Sequence, residues 1–159
     1  YLVQFGVFCS LFEQHVYNIP NPRVALVNIG EEEEKGNLLC QSAYPLMKES
    51  RQFNFVGNAE GRDMFSGIAD VFVTDGFTGN VLLKFAESFY TISRKKKIKD
   101  DFFDKFNYEQ YGGSPILGVN APVVVGHGIS NAEAIKNMVL LCRDMVQTAL
   151  TEKIKLAFQ

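Results

Sequence analysis

Val71-Phe72-Val73-Thr74-Asp75-Gly76-Phe77-Thr78-Gly79-Asn80 is an apolar run that breaks into glycines and small polar residues. Immediately after it, apolar residues begin to recur three and four apart, at Leu82, Phe85, Phe89 and Ile92. The change of period predicts strand 70–74, a binding loop, and then a helix. Two glycines permit close backbone approach, and a helix start offers N–H groups without intrahelical partners. Such a junction is an address for an anion or a cofactor. The same logic occurs earlier, where strand 24–29 runs into Gly30, the four glutamates Glu31 to Glu34, Lys35, Gly36 and Asn37. A helix through Leu38, Leu39, Ala43, Leu46 and Met47 follows. Two loops of this kind predict one shared cleft.

Between them, Phe53 to Val56 reads as a short strand ending in Gly57-Asn58-Ala59-Glu60-Gly61, and a short helix passes through Met64 and Phe65. Repeated strand–helix units with short connections predict an α/β fold, a layered, mostly parallel sheet with flanking helices. Upstream, Leu2, Phe5, Cys9, Phe12 and Val16 mark a helix that Pro20 and Pro22 terminate. Downstream, residues 108–118 contain Gly112, Gly113 and Pro115 and read as turn or loop. Val123 to Val125 is the last expected strand, and its end at Gly126-His127-Gly128 is expected at the same sheet edge. Ser130 or Asn131 then caps one long terminal helix carrying Ala134, Ile135, Met138, Cys142, Met145 and Ala149.

A chain of 159 residues with 47% hydrophobic and 21% charged residues can bury one good core, so one domain is expected. A formal charge of -2 without a basic, aromatic-interleaved stripe speaks against nucleic acid. Cys9, Cys40 and Cys142 lack metal-ligand spacing and read as buried thiols, and His15 and His127 are too loosely constrained for a metal site. No apolar run is long enough to span a bilayer. No secretory leader is recognisable, which places the expectation in the cytoplasm, while Tyr1 in place of methionine reads as a trimmed start. The basic run Arg94 to Lys99 reads as a solvated helix end, with a membrane or acidic-protein contact as the competing reading.

Four separated motifs now stand in order: Asn28-Ile29-Gly30-Glu31-Glu32-Glu33 with Lys35-Gly36-Asn37; Asn58-Ala59-Glu60-Gly61-Arg62-Asp63; Asp75-Gly76-Phe77-Thr78-Gly79-Asn80; and Tyr111-Gly112-Gly113-Ser114-Pro115-Ile116-Leu117-Gly118. Together they resemble the carboxyl-terminal half of the bacterial phosphate acyltransferase (PlsX) family, over residues 1–159. The resemblance implies a fold related to the phosphate acetyltransferases and to the isocitrate and isopropylmalate dehydrogenases, and a homodimer. It implies an amino-terminal half supplying further strands and opposing loops. It also implies transfer of a long-chain acyl group from acyl carrier protein to inorganic phosphate, giving acyl phosphate for phospholipid synthesis. No cofactor is implied, and the localisation is cytoplasmic with room for peripheral membrane association.

Phosphate would be the nucleophile, so the protein must bind a dianion, aim it at the thioester carbonyl and stabilise the oxyanion. Lys35, with the amides of Gly36 and Asn37, and the turn Gly76, Thr78, Gly79 and Asn80 are the candidates for that work. For each, an ordinary alternative stands: an exposed helix-start lysine, glycines that ease tight turns, asparagines that cap helices, a threonine bonded within its own turn. Glu31 to Glu34 would repel phosphate unless they face solvent, pair with basic side chains or lie in a dimer contact. Asp75 resembles the aspartate in the corresponding loop of the phosphate acetyltransferases and is the candidate orienting or acid/base residue; the competing role is a helix cap. His127 is either a phosphate donor and proton source for the departing thiol or a structural histidine. Two other functions compete: a nicotinamide-dependent dehydrogenase, against which stands the lack of a Gly-x-Gly-x-x-Gly fingerprint, and a noncatalytic carrier-protein-binding module.

Overall fold

The structure is a computed structural model that describes residues 1–159, the side chain of Tyr108 excepted. The chain forms two compact units, Tyr1–Asp75 with Thr148–Gln159, and Gly76–Gln147.

The first unit is the expected α/β layer. Strands β1 (Arg23–Val27), β2 (Asn54–Ala59) and β3 (Val71–Val73) form a parallel sheet in the order β2-β1-β3. The central strand, Arg-Val-Ala-Leu-Val, is apolar on both faces, as a strand covered on both sides must be. On one face Val24, Leu26, Val71 and Val73 pack with Leu2 and Val7 of α1 (Leu2–His15) and Met47 of α2 (Leu38–Glu49). Ala157, which follows α7 (Leu150–Leu156), packs against the same cluster. The other face carries small residues, Ala25 and Ala59, in a cluster with Ala69. Burying a residue such as Leu26 or Met47 contributes roughly 1.5–3 kcal/mol. Phe5, expected on the inner stripe of α1, is 40% exposed; Gly6 and Val7 hold the buried face instead. At the amino end of the sheet, Asp70 accepts from the backbone N–H of Arg23 at 2.8 Å and from its Nη2 at 2.9 Å.

Strand β2 runs three residues further than expected. Val24 pairs with Phe55 and Ala25 with Gly57, so Val56 is an extra residue in the ladder. Gly57 has φ +103, the left-handed conformation that lets the strand continue past the irregularity. Asn58 and Ala59 therefore pair with Leu26 and Val27 rather than lying in a loop.

Beyond Asp75 the chain differs from expectation in three places. The helix α3 (Gly76–Lys96) starts at Gly76, so Gly76 to Asn80 are its first turn and not a loop. Residues expected as loop instead form α5 (Tyr108–Tyr111) and strand β4 (Gly113–Ile116), which pairs antiparallel with β5 (Val123–Gly126). Strand β5 thus belongs to a separate two-stranded sheet, and its end does not open from the parallel sheet's edge. The expected terminal helix is two: α6 (Ala132–Gln147), capped by Asn131 whose side chain accepts from Ala134 N at 2.9 Å, and α7, separated by Ala149 at φ 51. The short helix α4 (Asp101–Asp104) completes the second unit, and the basic residues 94–97 are exposed at the end of α3, as a solvated helix end requires. Among the described residues no helix is long and apolar enough to cross a membrane.

Candidate active site

Parallel strands place all their carboxyl ends on one edge, so the segments after Val27, Ala59 and Val73 leave the first unit's sheet together. The first of them, Asn28 to Asn37, is shaped from inside. Asn28, buried, donates from Nδ2 to Lys35 O at 3.0 Å and accepts from Ile29 N at 2.9 Å. Asn58 reaches across from β2 and donates to Glu32 O at 2.8 Å. Two carboxamides therefore fold the glutamate run back over the strand ends. Gly36 has φ +91, and a Cβ there would stand 2.1 Å from Asn28 Oδ1, so only glycine fits. Asn37 performs the competing role: its Oδ1 accepts from Cys40 N at 3.0 Å and caps α2.

Two of the four glutamates meet basic side chains. Glu33 pairs with Lys48, and Glu31 lies 3.5 Å from Arg62, which also meets Glu60 at 3.2 Å. Arg62 is the residue that reasoning from the sequence passed over. It follows the end of β2 in Glu60-Gly61-Arg62-Asp63, where Glu60 N donates to Asp63 Oδ2 at 2.8 Å and fixes the 3-10 helix Gly61–Phe65. A basic residue one position into a capped turn at a strand end was the available signal. Lys35 is exposed on the same loop, and Asp75, half-buried, follows β3. Burial pushes the Cys40 thiol up, and the Asp75 carboxylate pushes it further. Lys35, Gly36, Asn37 and Asp75 are thus brought to one edge of one unit.

Gly76, Thr78, Gly79 and Asn80 continue directly from Asp75 as the first turn of α3, where helix N–H groups lack intrahelical partners. His127 lies in the second unit just beyond β5. Its Nε2 stands 3.4 Å from Lys84 Nζ, and Lys84 also donates to Glu87 at 2.9 Å. An ammonium can only donate, so the His127 contact is a hydrogen bond when the ring proton sits on Nδ1. Beside this group lies a cavity of about 420 Å³, walled by α3, the β4–β5 hairpin and Phe106. Among the described residues no three His, Cys, Asp or Glu side chains converge as a metal site.

The sequence model of a family described as "Fatty acid synthesis protein" matches residues 1–153. Three relatives, each named "Phosphate acyltransferase", illustrate the similarity. Those of Dictyoglomus turgidum and Aquifex aeolicus are both 40% identical over 97% of this chain, covering 52% and 51% of their own lengths. That of Heliobacterium modesticaldum is 43% identical over 92% of the chain and 49% of its own length. The chain spans about half the length of the curated relatives it matches.

Proposed function

The chain belongs to the PlsX family of phosphate acyltransferases, and from that premise we propose that its protein moves a long-chain acyl group from acyl carrier protein to inorganic phosphate. The product, acyl phosphate, would feed phospholipid synthesis. The observation that carries the reading is that Lys35, Arg62 and Asp75 all follow strand ends at one parallel-sheet edge, the loop of Lys35 being held by the carboxamides of Asn28 and Asn58.

A phosphate oxygen attacks the thioester carbonyl carbon, the carbonyl becomes an oxyanion, and collapse breaks the C–S bond to release the carrier's thiolate, which takes up a proton. Lys35 holds the dianion by charge, and the Gly36 and Asn37 amides, with the α3 turn of Gly76, Thr78, Gly79 and Asn80, supply directed N–H donors. Asp75 orients the attacking phosphate or accepts its proton. His127 donates a proton to the departing thiolate. A homodimer and a peripheral membrane contact belong to the same reading, drawn from the family resemblance.

Steady-state transfer by the full-length protein, with phosphate and acyl donor each varied, tests these roles. Lys35→Ala is expected to raise the KM for phosphate about tenfold, as loss of a charge contact would. Asp75→Asn is expected to lower kcat by about 100-fold, the low end of acid–base contributions. Folded variants with wild-type kinetics would overturn the assignment.

A further inference from the structure

Lys84 has no part in the steps assigned above, yet it touches a residue that does. Within the second unit its Nζ stands 3.4 Å from His127 Nε2 and donates to both carboxylate oxygens of Glu87, at 3.1 and 2.9 Å. Lys84 and Glu87 are three residues apart on α3 and so share one face of the helix. His127 and Glu87 line the cavity of this unit, and Lys84 does not. An ammonium has three donors and no acceptor, and in an imidazolium both ring nitrogens are donors. The contact at Nε2 is therefore a hydrogen bond only when the ring is neutral with its proton on Nδ1.

That state constrains how His127 can protonate a departing thiolate. A neutral ring that gives up its Nδ1 proton and receives nothing becomes an imidazolate, an anion far more basic than the thiolate it has protonated. The obstacle disappears if Nε2 gains a proton as Nδ1 loses one, and Lys84 is the donor already bonded there. We propose that Lys84 is the proton source behind His127, a positioning residue that acts through the ring; this rests on the acyl-transfer reading above and on the role of His127 within it. In the step, an S–H bond and an Nε2–H bond form while the Nδ1–H bond and one Nζ–H bond break. Thiolate and ammonium become thiol and neutral amine, and the ring ends neutral with its proton on Nε2. The Lys84 and His127 side chains are exposed, so exchange with water recharges the amine and returns the ring to its starting tautomer.

The test uses the full-length protein, with kcat measured on an acyl carrier protein thioester and the ring nitrogens of His127 followed by nitrogen NMR, their signals identified by their loss in His127→Gln. Wild type is expected to show the neutral ring protonated on Nδ1. Lys84→Arg keeps a cation that donates to Nε2, but a guanidinium does not release its proton. It is therefore expected to keep that tautomer while lowering kcat about 100-fold, the low end of acid–base contributions, with the KM for phosphate unchanged. Lys84→Met is expected to lose both the tautomer preference and the rate. Because the two residues serve one transfer, Lys84→Arg combined with His127→Gln is expected to be no slower than His127→Gln alone. A wild-type ring protonated on Nε2, a Lys84→Arg protein with the wild-type rate, or losses that multiply in the double variant would each overturn the relay and leave acyl transfer to phosphate standing. Wild-type protein that transfers nothing to phosphate from any donor removes the acyl-transfer reading, and the relay with it.

Discussion

Met47 and Phe85 are large apolar residues on the inner positions of predicted helices, and they meet opposite fates. Met47 is 0% exposed beneath the parallel sheet, whereas Phe85 is 63% exposed on α3. The contrast extends to their surroundings. The first unit buries Val24, Ala25 and Leu26 completely, while the 21 residues of α3 include one buried side chain, that of Ser93. Phe77, on the first turn of the same helix, is 81% exposed. The first unit therefore holds its candidate edge with its own core. The second relies on contacts between aromatic rings and on a thin interior around Ala134 and Met145.

The sharpest way to break this comparison is to truncate both residues. Met47→Ala is expected to cost roughly 2–5 kcal/mol, as deletion in a closed core does, and Phe85→Ala below about 1 kcal/mol. Urea unfolding of the full-length protein reads the difference, and equal costs would erase the distinction between the units. A smaller effect is expected at the loop. Gly36→Ala places a methyl group against Asn28 in a left-handed conformation and is expected to cost roughly 1–3 kcal/mol. Hydrogen exchange should show the loss concentrated at Lys35 to Cys40, and uniform loss would deny the loop its independent strap.

The smallest effect is a dependence on pH. Side-chain hydrogen bonds from Arg23, then the Arg23 backbone N–H, hold the Asp70 carboxyl below its ordinary value of 3.8. A carboxyl with a depressed folded-state pKa stabilises above 3.8, and that gain disappears as pH falls through the lower folded value. Asp70→Asn should therefore be less stable than wild type at neutral pH, with the gap closing in acid. A gap that stays constant would show the pairing to be indifferent to protonation.

The parallel core was legible because β1 is apolar from Val24 to Val27 and its neighbours end in glycine-bearing segments. The extension of β2 was not, since Gly57 reads as a stop and serves as a bulge that keeps the ladder going. At α3 the misreading had the same root. Gly76, Thr78 and Gly79 are poor helix formers, yet they occupy a first turn, where intrinsic propensity counts least. Strand β4 was hidden by Gly-Ser-Pro-Ile. Pro115 lacks an N–H but is tolerated in a two-stranded ribbon, opposite Val124. The break before α7 carries neither glycine nor proline; Ala149 takes the left-handed conformation and gives no compositional sign of it. That Lys35, Gly36 and Asp75 follow strand ends was readable from the sequence, and so was the place of Arg62 after β2, whereas its approach to Glu31 needed the third dimension.

The glutamate run hangs from two interior carboxamides, and this separates its outline from its lettering. Asn28 and Asn58 grip main-chain carbonyls at Lys35 and Glu32, groups that every amino acid possesses. The side chains at 31–34 can be exchanged without recasting the loop, so the charge worn on the rim is adjustable while the mould beneath it is not. A peptide bearing the same letters, lifted out of the sheet, would keep the charge and lose the form.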